Sequence, residues 1–194
     1  MNLIFEKGYF KNYTRRNLDE AMLPVLAHSE FELKKPMVFI SHKHEDLEEL
    51  KGLLGFFEDV YDVKVYIDSN DSTMPKVTSA ETASKLKNKI KNCDKFVLLA
   101  TDGAVESKWC NWELGYGDAH KFKDNIALVP MKNKNLSDAA YKGAEYLELY
   151  PHIVYYNGTE QYSNGAKIAA GYYVRVKKSD GECSITPLRN WLYK

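Results

Sequence analysis

The sequence has no CxxC pair, no apolar run long enough to cross a membrane, and no excess of charge of either sign. Each absence excludes something. Three widely spaced cysteines, Cys93, Cys110 and Cys183, provide neither a disulfide framework nor paired metal ligands, and fit a reducing cytosol. Lys and Arg number 27 and so do Asp and Glu, which argues against a nucleic acid partner, because phosphate binding usually shows as a basic excess. The opening, MNLIFEKGYFKNYTRR, lacks the apolar core of a signal peptide. The expectation is therefore a cytoplasmic protein that engages neither membrane nor nucleic acid. GxGxxG, GxxxxGKS/T and GxSxG are missing too. Without them there is no dinucleotide fingerprint, phosphate loop or nucleophile elbow to build on.

What is present is an ordinary globular composition, 44% apolar and 28% charged over 194 residues, enough for one domain with a small appendage. Residues 37–41, Met-Val-Phe-Ile-Ser, read as a buried strand after Pro36. Leu47, Leu50, Leu53, Leu54 and Phe57 recur at helical spacing over 46–60. A second strand is expected over 63–67, a Lys-rich helix over 80–92, and a third strand over 95–100. A helix near 109–122 and a fourth strand over 125–131 follow. Past Met131 the pattern gives a fifth strand at 153–156, a hairpin of 172–176 and 182–185 around Ser179-Asp180-Gly181, and a closing helix at 187–193. A short helix is expected over 18–28, although Pro24 falls within it. Strands alternating with helices imply βαβ units and a parallel sheet covered on both faces. In such a sheet ligands bind beyond the carboxyl ends of the strands, which directs attention to the loops 41–45, 68–79 and 101–108.

Those loops carry the chemically able residues. Ser41, His42 and Lys43 end the first strand and offer hydroxyl, imidazole and ammonium groups. His42 and His44 have no third and fourth ligand spaced to join them, so no metal is expected. Asp46 has the position of a helix N-cap. Asp68 ends the second strand and opens the polar loop DSNDSTMPKVTS. Trp109 and Glu113 are four apart and share one helical face, an aromatic wall one turn from a carboxylate. A tryptophan that only packs, and a glutamate that only complements a helix dipole, would look the same. The lysines at 85, 87, 89, 91 and 95 read as a solvated face, and Gly115 and Gly117 as sites of close packing.

Taken together, VFISHKHED, VKVYID with its polar loop, and CDKFVLLATDGAVESKWCNWEL resemble the three boxes of the Toll/interleukin-1 receptor (TIR) domain family, in the family's order and spacing. The likeness covers about residues 37–131. His42 stands where the first box usually has tyrosine, and the loop between Asp68 and Ala80 lacks the glycine of many relatives. The resemblance implies a flavodoxin-like, doubly wound α/β fold with a five-stranded parallel sheet. The TIR domain would occupy residues 37–158, with an N-terminal extension, 1–36, and a C-terminal extension, 159–194, packed on it.

In enzymatic members the glutamate of W-x-x-x-E is catalytic, which implies Glu113 here, with Ser41, His42, Lys43, Asp68 and Trp109 binding substrate. The substrate implied is NAD, cleaved between nicotinamide and ribose, with no separate cofactor and no metal. The loop 68–79 implies self-association. Resemblance to the signalling component of antiphage systems such as Thoeris implies an ADP-ribose-derived, cyclised messenger that reaches a separate effector. By their residue types, Tyr155, Tyr156, Tyr172, Tyr173 and Trp191 could either wall the pocket against water or only complete the packing of the sheet. A non-enzymatic TIR adaptor and a nucleoside deoxyribosyltransferase are the other readings.

Overall fold

A computed structural model describes residues 3–14, 35–68, 79–121 and 123–194. The helix expected over 18–28 and most of the 68–79 loop lie outside the described residues.

Strands β1 (Phe5–Glu6), β2 (Met37–Ser41), β3 (Lys64–Tyr66), β4 (Lys95–Thr101), β5 (Ile126–Lys132), β6 (His152–Tyr156), β7 (Gly171–Lys177) and β8 (Cys183–Pro187) form one sheet in the order β3-β2-β4-β5-β6-β7-β8. The first five of these positions pair in parallel, which is the doubly wound arrangement the alternation predicts. The sheet then extends further than five strands. The hairpin β7–β8 adds antiparallel strands beside β6, and β1 pairs with β5 at Met131 and Lys132.

Every residue of β4 and of β5 is buried, as expected of central parallel strands covered on both faces. Period-2 alternation divides them between two cores. Val38, Ile40, Val97, Leu99, Ala127 and Val129 face helix α1 (Leu47–Gly55), the closing helix α6 (Leu188–Leu192) and the segment around Phe5 and Phe10. Phe39, Phe96, Leu98, Ala100, Ile126 and Leu128 face α2 (Ala80–Asn92), the short α3 (Asp102–Val105), α4 (Lys108–Lys121) and the α5 region (Ala144–Leu149). Pro130 sits inside β5 and cannot donate to the ladder, and the carbonyl of the neighbouring Ala100 accepts from the Tyr141 hydroxyl at 2.7 Å.

Helix α1 continues through a π-helical turn, Phe56–Val60, that buries both Phe56 and Phe57. It ends at Asp62, whose φ of 57° is left-handed. Two glycines one turn apart let the N-terminal segment cross this helix. A Cβ at Gly52 would lie 2.7 Å from the Phe10 carbonyl oxygen, and one at Gly55 only 1.8 Å from that of Tyr13.

Several expectations about side chains are revised. Tyr155 and Tyr172 pack on the α1 face, Tyr172 against Phe5, Phe10 and Phe56. Tyr156 and Tyr173 form a third cluster with Val154 and Ile168. Trp191 donates to the Asp124 carbonyl at the amino ends of the strands. These rings complete the packing of the sheet; they do not wall a pocket at its carboxyl edge. Lys95 is also no part of a solvated face: it is buried, donates to Asn125 Oδ1 at 2.5 Å and lies over the Trp191 ring. Gly117 does permit close packing, since a Cβ there would lie 3.1 Å from the Phe96 ring, whereas Gly115 faces open space.

Candidate active site

The parallel strands reverse their order of winding at β2 and β4, so the crevice beyond their carboxyl ends is where a ligand site is expected. Ser41 is the last residue of β2 and Thr101 the last of β4. Helix α4 lies over β4, and its inward face carries Cys110, Glu113, Leu114 and Gly117, which follow the i, i+3, i+4, i+7 rule. That periodicity places an acid where an apolar residue belongs. Glu113 is only 2% exposed, and the Ser41 hydroxyl donates to its Oε2 at 2.6 Å.

The second carboxyl oxygen, Oε1, is buried and has no hydrogen-bond partner among the described residues. Leaving such an atom unmet costs about 1–3 kcal/mol, more for a charged group, so this one calls for an explanation. Burial raises the Glu113 pKa to about 8, Asp68 adds to the rise, and the Ser41 hydrogen bond and the neighbouring Trp109 oppose it. Burial therefore favours the protonated carboxyl at neutral pH, and a nearby positive charge would favour its ionisation.

His42 is likewise buried, its Nδ1 3.9 Å from Asp68 Oδ1 and without a hydrogen-bond partner among the described residues. Burial pushes its pKa below the usual histidine range, and the Asp68 charge opposes that shift, so the ring favours its neutral form. The Trp109 ring stacks on Trp112 at 4.9 Å. Trp112 stacks in turn on Tyr116, and Tyr116 on His120, in a ladder along α4. Lys87 and Lys91 of α2 lie over this ladder, so part of the expected solvated lysine face covers aromatic rings.

Ser41, His42, Asp68, Trp109 and Glu113 thus converge. Lys43 diverges: its side chain runs over Gly103, and its ammonium lies 3.8 Å from Glu45. No group of three or more His, Cys, Asp or Glu able to hold a metal occurs among the described residues.

Other residues at this edge escaped the sequence reading. Asp46 holds the N-cap position of α1, yet its side chain makes no cap bond. Its buried carboxylate accepts from Thr101 Oγ1 at 2.5 Å and from Lys7 Nζ at 2.9 Å, tying β2, β4 and the N-terminal segment together. Lys7 is 39 residues away, beyond any local signal. Cys110, buried beside Ser41 and Glu113, has its thiol pKa raised by burial, which makes it a packing residue and not a nucleophile.

The Ser41–Glu113 bond has a testable consequence. Ser41→Ala removes a donor that favours the charged carboxyl, so the Glu113 pKa should rise further. Any activity that needs the ionised form should then fall about tenfold at pH 7 and recover in part as pH is raised. A pH–rate profile checks this, and an unshifted ascending acid limb would show that the bond does not tune Glu113.

A family model described as "TIR domain" matches residues 38–164, which covers β2 through β6 and the whole convergent site. The chain is also 33% identical over 118 residues to a protein of Bacillus cereus (strain MSX-D12) named "Probable 3' cyclic ADP-D-ribose synthase ThsB'", covering 60% of this chain and 59% of that one. It is 33% identical over 116 residues to a protein of Cytobacillus dafuensis named "Putative cyclic ADP-D-ribose synthase TIR2", covering 52% of this chain and 30% of that one. The chain therefore spans about three fifths of the length of the first relative and under a third of the second. With the parallel winding, the strand-end loops and the buried W-x-x-x-E glutamate all in place within the matched span, the chain belongs to the TIR domain family.

Proposed function

We propose that this protein cleaves the bond between nicotinamide and ribose in NAD and converts the ADP-ribose moiety to a cyclised messenger. The observation that carries this reading is Glu113: a buried carboxyl at the carboxyl edge of the sheet, bonded on one oxygen to Ser41 and, among the described residues, unmatched on the other. The names of the two relatives supply the chemistry of the product.

The substrate bond joins a cationic pyridinium to a sugar. As it breaks, the bonding electron pair leaves with the nicotinamide nitrogen and the ribose becomes oxocarbenium-like. The pyridinium charge would lower the Glu113 pKa so that its proton is released to solvent, and the resulting carboxylate would stabilise the sugar cation. Attack by water, with loss of a proton, gives ADP-ribose. Attack by a hydroxyl or ring nitrogen of the same molecule, also with loss of a proton, gives a cyclic isomer. Neutral His42, Asp68 and Trp109 complete the substrate-binding set, and no cofactor is required beyond the substrate itself.

A non-enzymatic adaptor has no use for a buried acid that resists ionisation; glutamine in its place would be the more stable choice. The messenger would act on a separate effector protein. Self-association through residues 68–79 would complete the site, so nicotinamide release per molecule should rise with protein concentration. Undetectable release at all concentrations would remove the proposal.

Because Trp109 shares one face of α4 with Glu113 and Trp112 meets that face through its stack on Trp109, Trp109→Ala should impair turnover more than Trp112→Ala at equal folded fraction. The expected losses are roughly a hundredfold and roughly tenfold. Steady-state rates, with circular dichroism as the folding control, check the order; the reverse order would contradict these roles.

A further inference from the structure

Beyond β6 the chain builds a second concavity that the site at the carboxyl edge does not use. Cross-strand register makes its floor. Tyr173 and Arg175 of β7 are two apart and share a face, Arg175 lies opposite Ile185 of β8, and Tyr173 lies opposite Val154 of β6, whose face also carries Tyr156. The alternate residues, Tyr155 and Tyr172, turn to the other face and pack on the α1 core. The roof is a small hairpin over 160–168, held by Tyr162 N–H to the Ala166 carbonyl at 2.8 Å and Ile168 N–H to the Glu160 carbonyl at 2.9 Å. Between floor and roof lies a cavity of about 550 Å³ lined by Tyr156, Tyr162, Ile168, Arg175 and Ile185, among others. This is the size of a small-molecule site.

Two polar groups in it are unmatched. The Arg175 guanidinium is half-buried, and no hydrogen bond or ion pair engages it among the described residues. The buried cations elsewhere are satisfied: Lys95 by Asn125, Lys121 by the Lys91 carbonyl, and Lys132 by Asp138. The Tyr156 ring is 5% exposed, and its hydroxyl has no partner among the described residues either. Arg175, Cys183, Glu160 and Tyr162 all bear electrostatically on that hydroxyl, which places it in the cavity. Glu182 at the rim pairs with Lys178 at 3.9 Å, and Glu160 accepts the Asn157 N–H at 3.1 Å. These rim acids disfavour polyanions. Among the described residues, the Arg175 guanidinium and the Tyr156 phenol face apolar walls.

We propose that this cavity is a second ligand site, for a flat apolar molecule bearing a single anionic group. The group, carboxylate or phosphate, would meet Arg175 with the Tyr156 hydroxyl beside it. The body would lie between Ile168 and Ile185, with the exposed Tyr162 ring as a stacking wall. The inference stands apart from NAD cleavage and survives if that reading fails.

Titration of the full chain with 2-naphthoate, 2-naphthyl phosphate and uncharged 2-naphthamide, followed by amide and Arg Nε NMR shifts, tests it. Saturable shifts confined to 160–168, β7 and β8 are expected for at least one of the two anions, and which of them binds identifies the anionic group. Arg175→Gln should weaken binding at least about tenfold, Tyr156→Phe should weaken it less, and Glu113→Gln should leave it unchanged. Naphthamide binding as well as the anions, affinity untouched by Arg175→Gln in a folded variant, or no saturable shift at millimolar probe would each overturn the proposal.

Discussion

Glu113→Gln is expected to lower nicotinamide release from NAD by roughly two orders of magnitude or more while making the fold more stable. Both effects come from one feature, a carboxyl held out of water. The activity is lost because glutamine fills the same space and can accept from Ser41, but cannot become an anion opposite a developing sugar cation. The stability gain follows from linkage. The folded pKa of about 8 lies above the ordinary 4.5, so the fold favours the protonated carboxyl. Below pH 4.5 the group is neutral in folded and unfolded chains alike and its contribution to stability is intact. Between pH 4.5 and about 8 the unfolded chain ionises while the folded one does not, and stability falls. At pH 7 the loss is on the order of 3 kcal/mol. Glutamine does not titrate, so denaturation curves of wild type and variant should coincide near pH 4.5 and separate with rising pH. Parallel curves across that window would mean that Glu113 is ionised in the folded protein.

A comparably large effect, on stability alone, is expected at Gly55. Helix propensity by itself says that Gly55→Ala should stabilise α1 by about 1 kcal/mol. Geometry says the opposite, because the new Cβ would sit 1.8 Å from the Tyr13 carbonyl oxygen. The obstacle is backbone, so relief requires lifting the segment that carries Phe10. Phe10 is 1% exposed and packs against Phe5, Phe56 and Tyr172. Uncovering it should cost roughly 3–5 kcal/mol, several times the propensity gain. Gly115→Ala supplies the contrast: nothing lies within 4 Å of its Cβ position, so propensity should win and stability rise by about 0.5–1 kcal/mol. Urea midpoints with unchanged slope measure both. A stabilised Gly55→Ala would show that the N-terminal segment does not press on α1.

How much of this was legible in the sequence depends on the range of the signal. Helix α2 and strands β2, β4 and β5 read correctly to within a residue because their apolar periods are local. The β7–β8 hairpin was legible from its Asp-Gly turn, where Gly181 takes a φ of 84°. The Ser41–Glu113 pair joins residues 72 apart. Local pattern marked each end, but only the set of family motifs suggested that they belong to one site. No such motif reaches Lys7, so its clasp on Asp46 and Thr101 was invisible and Asp46 read as a plain cap. The C-terminal tyrosines show the same limit in reverse. Their composition allowed either a wall around the site or packing of the sheet, and strand alternation decides for packing in two cores. Lys43 was grouped with Ser41 and His42 by sequence adjacency, although a residue just past a strand end is free to turn away, as it does over Gly103.

The account rests most directly on what the protein makes from NAD. Mass-resolved chromatography of NAD incubated with wild type and with Glu113→Gln, each at high protein concentration, tests it in one measurement. The predicted result is free nicotinamide with a product of ADP-ribose mass less one water from wild type, and intact NAD from the variant. Intact NAD from both, or the same products at the same rate from both, would contradict it.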